Sequence, residues 1–167
     1  MRFCKIFCCL SAFSMLFLSC GQDAKQKMIL TKADSLYIRV RCVKTVSELI
    51  ENTLLIPAHK KMQYKIDYIN ETYPDTITKT QAEKLIQIKN TEQNYNSLIL
   101  TTKELQKQSA LQLTQVTKLN AEIARGKDEN MLQYLTFEIK CADTLNSVLD
   151  NIIKKSIELS CKSQTFN

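Results

Sequence analysis

Histidine and cysteine are the residues of this chain whose side chains could do chemistry, as a base, a nucleophile or a metal ligand. His59 is the only histidine, and no second histidine or closely spaced cysteine pair accompanies it, so no zinc site is predicted. Its polar and charged neighbours favour a solvated side chain. The nucleophile elbow, the P-loop and the dinucleotide-binding turn all need glycines close together, whereas Gly21 and Gly126 are the only glycines. We therefore expect a protein that is not an enzyme and that holds no metal or cofactor.

The cysteines divide into three groups by position. Three lie in an apolar N-terminal segment and three lie in the body of the chain, while one stands at the boundary between these regions. The first group is Cys4, Cys8 and Cys9, the second is Cys42, Cys141 and Cys161, and the boundary residue is Cys20. The boundary cysteine alone has a small residue before it and a glycine with polar residues after it, so its role differs from that of the others.

The N-terminal segment has the order of a secretory signal. Arg2 and Lys5 precede the apolar stretch from Ile6 to Leu18, and no acidic residue appears before Asp23. A transmembrane helix needs about 20 apolar residues, so this stretch is too short for a permanent span. The order predicts a segment that is cleaved from the mature protein.

The residues around the boundary, Phe17-Leu18-Ser19-Cys20-Gly21, resemble the lipobox of bacterial lipoprotein precursors, with Phe17 at a position where Leu is common. The resemblance covers only the signal region. It implies that residues 1–19 are removed, that the Cys20 sulfur carries a diacylglyceryl group and that its new amino group accepts another acyl chain. One acyl chain binds a membrane marginally and two anchor it stably, so the resemblance implies a membrane anchor on a tether of residues 20–25.

The residues also allow a second reading, ordinary secretion with cleavage after Gly21. Under the lipoprotein resemblance, the protein belongs to the bacterial cell envelope. An Asp directly after the lipidated cysteine would resemble the signal that retains many Gram-negative lipoproteins in the inner membrane. Gly21 stands there instead, which favours the outer membrane.

Composition and charge describe a helical chain without the signature of a nucleic-acid binder. Of the 167 residues, 44% are apolar and 24% are charged, and only two Gly and two Pro interrupt them. The net charge of +6 is spread along the chain. The longest basic runs are the pairs Lys60-Lys61 and Lys154-Lys155, whereas a nucleic-acid surface usually clusters its basic residues.

Two breaks divide the body of the chain into three predicted helices. Pro74 cannot lie inside a helix, and Gly126 suits the left-handed residue past a helix end, with Asp128 as the next cap. The first helix, from about Gln26 to Asn70, has a heptad seam that shifts phase after Pro57, where we expect a kink. The seam before Pro57 contains Ile29, Ala33, Leu36, Val40, Val43, Ser47, Ile50 and Leu54.

The second helix should begin near Thr78, where Thr78 and Gln81 match a capping box, and should extend to about Ile123. Its seam is polar at the centre, so we expect the centre to pack weakly or to face water. The predicted seam is Leu85, Ile88, Glu92, Tyr95, Ile99, Thr102, Gln106, Ser109, Leu113, Val116, Asn120 and Ile123.

The third helix should run from about Glu129 to Ser160. Short connections make consecutive long helices antiparallel. The sequence therefore predicts an all-α protein, either an elongated up-down-up three-helix bundle or a coiled-coil hairpin. We assign the bundle to residues 26–161 and a loose tail to residues 162–167.

Two further groups of residues are candidate sites. With the first and third helices parallel, Cys42 and Cys141 come to similar heights, so a disulfide between them and a pair of buried thiols both remain open; for Cys161 a free or intermolecular thiol is expected. Tyr64, Tyr68 and Tyr73 lie near the first hairpin, where they either form an interaction tip or fill packing positions.

Taken together, these patterns favour a non-catalytic, lipid-anchored envelope protein that presents a helical, coiled-coil-like surface. Its partners would be the membrane, through the lipid on Cys20, and an unknown protein or envelope polymer, with oligomers also compatible. The alternative is a secreted or anchored bundle that binds a small apolar ligand. A ligand carrier needs a pocket among its helices, whereas an interaction protein needs a packed seam and an exposed patch.

Overall fold

The structure is a computed structural model that describes the backbone of residues 3–73, 77–126 and 130–165. Side chains are described from Ala24 onward, except residue 25 and the backbone gaps. Within these residues the chain is all helical, and the helices pack against one another. The helices are α1 (Phe3–Ile50), a π-helical segment (Glu51–Leu55), α2 (Ile56–Thr72), α3 (Lys79–Arg125) and α4 (Met131–Gln164).

The first long helix is bent, and the bend coincides with the π-helical segment just before Pro57. Proline lacks the N–H that would bond to the carbonyl four residues earlier, and its ring crowds that carbonyl. In the π segment the Ile56 N–H donates to the Glu51 carbonyl, five residues back. This segment therefore widens the helix immediately upstream of Pro57, and the predicted kink in this region is confirmed.

The seam of α1 follows the prediction up to Ser47 and then differs from it by one residue. Ala33, Leu36, Val40, Val43 and Ser47 are all buried. A heptad spacing places Ile50 and Leu54 next, yet Glu51 and Leu55 are the buried residues. The π segment adds one residue to its turn. The phase shift therefore begins at Glu51, rather than after Pro57.

The second long helix, α3, is continuous and capped as predicted. Thr78 is the N-cap and exchanges hydrogen bonds with Gln81 in a capping box, and Gly126 ends the helix with a left-handed φ of 68°. The Gln26 side chain donates to the Ile123 carbonyl at 3.2 Å and so satisfies one of the carbonyls at this end. The predicted cap at Asp128 lies outside the described residues.

The buried face of α3 is wider than a single heptad seam because α3 packs against α1 on one side and α4 on the other. Eight of the predicted seam positions are buried. At the other four predicted positions, Glu92, Gln106, Leu113 and Asn120 are only half-buried. The buried residues next to these positions are Thr91, Leu105, Gln112 and Leu119.

The contacts along α3 show that its neighbours run antiparallel to it. Gln26 in α1 meets Ile123 near the C-terminal end of α3, whereas His59 in α2 meets Glu92 in the N-terminal part of α3. Gln112 donates to the Glu138 carbonyl in α4. Helix α4 continues to Gln164, so residues 162–164, which we expected in a loose tail, are helical.

Two apolar clusters fill the interior, and Leu145 packs against both. The near cluster contains Ala33, Leu36, Val40, Val116, Leu119, Ile123, Met131, Leu135 and Ala142. The far cluster contains Val43, Leu55, Met62, Ile88, Tyr95, Leu98, Ile99, Leu105, Leu149, Ile152 and Leu159. We call the buried polar residues around the middle of the rod the polar waist: Ser47, Glu51, Thr102, Ser109 and Gln112. Of the predicted polar centre, Thr102 and Ser109 are therefore buried and Gln106 is half-buried, so the expectation that it faces water is wrong.

Candidate functional site

The three tyrosines of the predicted tip are exposed at the end of the rod where α2 leads into α3. The exposed fractions are 72% for Tyr64, 56% for Tyr68 and 40% for Tyr73. Tyr64 and Tyr68 are four residues apart, which places them on one face of α2. We call these three residues the tyrosine end. Their exposure shows that they do not fill packing positions.

The packing of α2 explains why these tyrosines face outward. Met62 is fully buried, and Ile66 and Ile69 pack against the far cluster, so α2 is held by the side opposite to Tyr64 and Tyr68. Tyr73 ends α2, with its backbone N–H donating to the Ile69 carbonyl at 3.1 Å. The exposed aromatic rings therefore stand on a helix anchored by its other face.

Lysines lie beside the tyrosines on α2. Burial, which disfavours the charged ammonium group, and then repulsion from Lys61 lower the pKa of Lys65 from its ordinary value. The tyrosine end thus combines aromatic faces with cationic groups, a composition that protein interfaces and anionic polymers both accept.

His59 is not the solvated side chain that we expected. Its Nε2 lies 2.6 Å from the Glu92 Oε1, and the His59 side chain is only 16% exposed. The π segment and Pro57 set the rotation of α2 so that His59 points at α3. The pair joins α2 to α3.

Glu51 is the one buried carboxylate of the polar waist. Gln106 Nε2 donates to its Oε2 at 2.7 Å, and the Lys103 Nζ lies 3.8 Å from its Oε1. Both partners belong to α3, so the π segment carries a charge that only the correct alignment of the two helices satisfies. The heptad pattern does not predict this contact, because it places Glu51 one position outside the seam.

The groove between α3 and α4 contains a second polar contact. Gln112 Nε2 donates to the Glu138 carbonyl at 2.8 Å, whereas Gln112 Oε1 and Glu138 Oε2 are buried without a partner. Burial raises the pKa of the Glu138 carboxyl group, and the Gln112 side chain opposes that rise. The same groove includes Cys141, whose thiol pKa is raised by burial and then by Glu138.

The structure leaves Cys42, Cys141 and Cys161 as free thiols, with the first and last exposed. Cys42 lies on an exposed face of α1, whereas Cys141 is half-buried in the groove between α3 and α4. The disulfide between them stays a prediction.

Two features are absent from the described part of the chain, a metal site and a membrane span. No group of three or more potential metal ligands occurs there. No helix within it contains a stretch apolar and long enough to cross a membrane. Cys20 and the cleavage site lie outside the described side chains.

Comparison with known proteins identifies no relative of this chain. No family model matches the chain, and neither a curated protein nor a solved structure matches it.

Proposed function

We propose that this chain is a non-catalytic, lipid-anchored protein of the bacterial cell envelope that presents the tyrosine end to another protein or to an envelope polymer. In this proposal α1 with α2, α3 and α4 form an elongated up-down-up three-helix bundle. The lipid on Cys20 holds one end of the bundle at the membrane, with the outer membrane favoured.

The exposure of the tyrosine end is the observation that carries this proposal. Tyr64 and Tyr68 are the residues that an interface would use, because aromatic side chains supply large contact areas at a low entropy cost. A chain that kept them only for folding would pack them, as it does Tyr95, which is 1% exposed.

The geometry of the helices supports the direction of presentation. Helix α3 has 47 residues, or about 70 Å at the helical rise. Its C-terminal end meets Gln26, six residues after Cys20, and its N-terminal end adjoins the tyrosine end. A tether at Cys20 would therefore place the tyrosines at the opposite end of the rod from the lipid.

The cavities favour an interaction protein over a carrier of a small apolar ligand. Each of the three cavities described is lined by only two helices, one between α1 and α3 and two between α3 and α4. A carrier would need a cavity that its helices enclose.

The anchor is tested by growing cells that express the full chain with labelled palmitate. The wild type and Cys42→Ala should take up the label, and Cys20→Ala should not. A wild type without label would overturn the anchor, and so would label that persists in Cys20→Ala.

The surface is tested by placing a photoreactive amino acid at Tyr68 or at Tyr134 in the full chain. Both tyrosines are 56% exposed, but Tyr134 lies on α4, away from the tyrosine end. We expect a discrete cross-linked product from position 68 and none from position 134. Equal products from both positions, or none from position 68, would contradict presentation by the tyrosine end.

A further inference from the structure

A second heptad stripe runs along the outer face of α1, opposite the seam that packs on α3. Its members follow one another at spacings of three and four residues without interruption, and every one of them is exposed and uncharged. We call it the outer stripe, and it consists of Met28, Thr31, Ser35, Ile38, Cys42, Thr45, Leu49 and Asn52.

The charges of α1 avoid the outer stripe. All the charged residues between positions 26 and 53 lie beside the outer stripe or toward the other helices: Lys27, Lys32, Asp34, Arg39, Arg41, Lys44, Glu48 and Glu51. The large apolar members stand in water, with Ile38 60% exposed and Leu49 59% exposed. A solvated helix face has no need to exclude charge over 25 residues, whereas a face that meets another helix does.

Two of the four polar members of the outer stripe are suited to burial. The Thr31 hydroxyl donates to the Lys27 carbonyl and the Asn52 amide donates to the Glu48 carbonyl, each at 2.9 Å and each four residues back along the chain. These donors already bond to carbonyls of the same helix. A partner that covers them therefore leaves fewer buried donors without a hydrogen bond.

We propose that the outer stripe is the contact between two copies of this chain, which pair in parallel and in register and are joined by a Cys42–Cys42 disulfide. The spacing of three and four residues fits a helix as the occupant. In a parallel pair each stripe residue meets its own copy, whereas antiparallel pairing would layer Cys42 against a different stripe position. The parallel pair therefore brings the single cysteine of the stripe against a cysteine.

The geometry of two packed helices permits this bond. Helix axes pack about 8–10 Å apart and Cα atoms lie about 2.3 Å from each axis. Facing Cα atoms at the wider spacing are then about 5–6 Å apart, within the range of disulfides. The two thiols give up two protons and two electrons, which pass to an oxidised disulfide carrier of the envelope that is reduced to its dithiol.

The size of the outer stripe explains why a covalent bond is needed. It is about 36 Å long and a helix is about 10 Å wide, so each copy contributes roughly 360 Å². Both copies together cover about 700 Å², below the roughly 1,200 Å² of a stable interface. The flanking charges neither favour nor oppose the parallel pair. The pair sets Asp34 beside Arg39 of the second copy, which attracts, but it also sets Lys27 beside Lys32 of the second copy, which repels. Without the disulfide, the pair is expected to separate in dilute solution.

The test uses the full chain in membranes of a bacterial host, oxidised with diamide, blocked with N-ethylmaleimide and resolved on a gel without reductant. The wild type and Cys161→Ser should give a reductant-sensitive dimer, and Cys42→Ser should not. Cys161 is the matched control because it is also exposed. A dimer that survives Cys42→Ser, or a wild type that stays monomeric, overturns the proposal.

Two further variants test the stripe and its direction. Ile38→Lys should lower the dimer yield by about tenfold, because it sets two like charges face to face. Leu100→Lys should leave the yield unchanged, since Leu100 is equally exposed but lies on α3. In the Cys42→Ser background, Leu49→Cys should restore the dimer. Equal yields from the two lysine variants, or no restoration, would contradict a parallel pair along this stripe.

Discussion

The near and far clusters use the same three helical rods but differ in how they tolerate irregularity. The near cluster contains three aliphatic residues of the heptad seam of α1, Ala33, Leu36 and Val40. The far cluster continues that seam at Val43 and includes Leu55 of the π segment, and the same half of the molecule contains Pro57, the pair His59 and Glu92, and the tyrosine end. The irregular half of the molecule is thus the half that exposes aromatic residues, and the regular half adjoins the predicted tether.

The polar waist contains two kinds of polar residue. The hydroxyls of Ser47, Thr102 and Ser109 bond to carbonyls of their own helices, at 2.7–2.8 Å. Glu51 and Gln112 instead need partners on another helix. The first kind lets helices approach closely at little cost, while the second kind penalises any shift of one helix along the next.

The largest expected effect comes from truncating one leucine in each cluster. Leu36 in the near cluster and Leu55 in the far cluster are both buried, so each Leu→Ala variant should lose about 2–5 kcal/mol of unfolding free energy. Leu36→Ala should speed hydrogen exchange mainly where α3 packs on the near cluster, and Leu55→Ala mainly where α3 packs on the far cluster. The same acceleration along the whole of α3 in both variants would show a single cooperative core.

A smaller effect is expected at the polar waist itself. Gln106→Ala removes the donor to the buried Glu51 carboxylate and should lower the free energy of unfolding by about 1–3 kcal/mol, measured with urea. Glu51→Leu removes the charge as well and should be close to neutral.

Gln108→Ala is the matched control for this prediction. Gln108 also donates to a glutamate at 2.7 Å, but its partner Glu104 lies on the same exposed face of α3. Its loss should cost less than about 0.5 kcal/mol. Similar losses for Gln106→Ala and Gln108→Ala would mean that the waist contact does not align the helices.

The particular residues show how far sequence reasoning reaches. The capping box at Thr78 and the left-handed Gly126 depend on neighbours within a few positions, and both are confirmed. The seam from Ala33 to Ser47 is confirmed for the same reason. Local rules also predict a kink near Pro57, which the bend confirms.

The errors arise where two helices decide the outcome together. The burial of Glu51 depends on the π segment and on Gln106, 55 residues away. His59 depends in the same way on Glu92. No periodic pattern encodes such pairs.

The smallest expected effect is the pH dependence due to Glu138 in the groove between α3 and α4. Burial raises its pKa in the folded state, so the folded chain binds this proton more tightly than the unfolded chain does. Stability should therefore fall as pH rises from the ordinary glutamate pKa through the raised value. Urea unfolding at a series of pH values should show that Glu138→Gln lacks this fall. A variant with the same pH profile as the wild type would contradict the assignment.

The central claim is that the lipid end and the tyrosine end lie at opposite ends of an upright rod. The direct measurement is energy transfer from a dye attached at position 68 or at position 125 of the full chain to an acceptor dye in the membrane. Both positions are exposed, and Arg125 ends α3 close to Gln26. We expect strong transfer from position 125 and weak transfer from position 68. Equal transfer from both positions would mean that the protein lies flat on the membrane, and would contradict presentation of the tyrosine end.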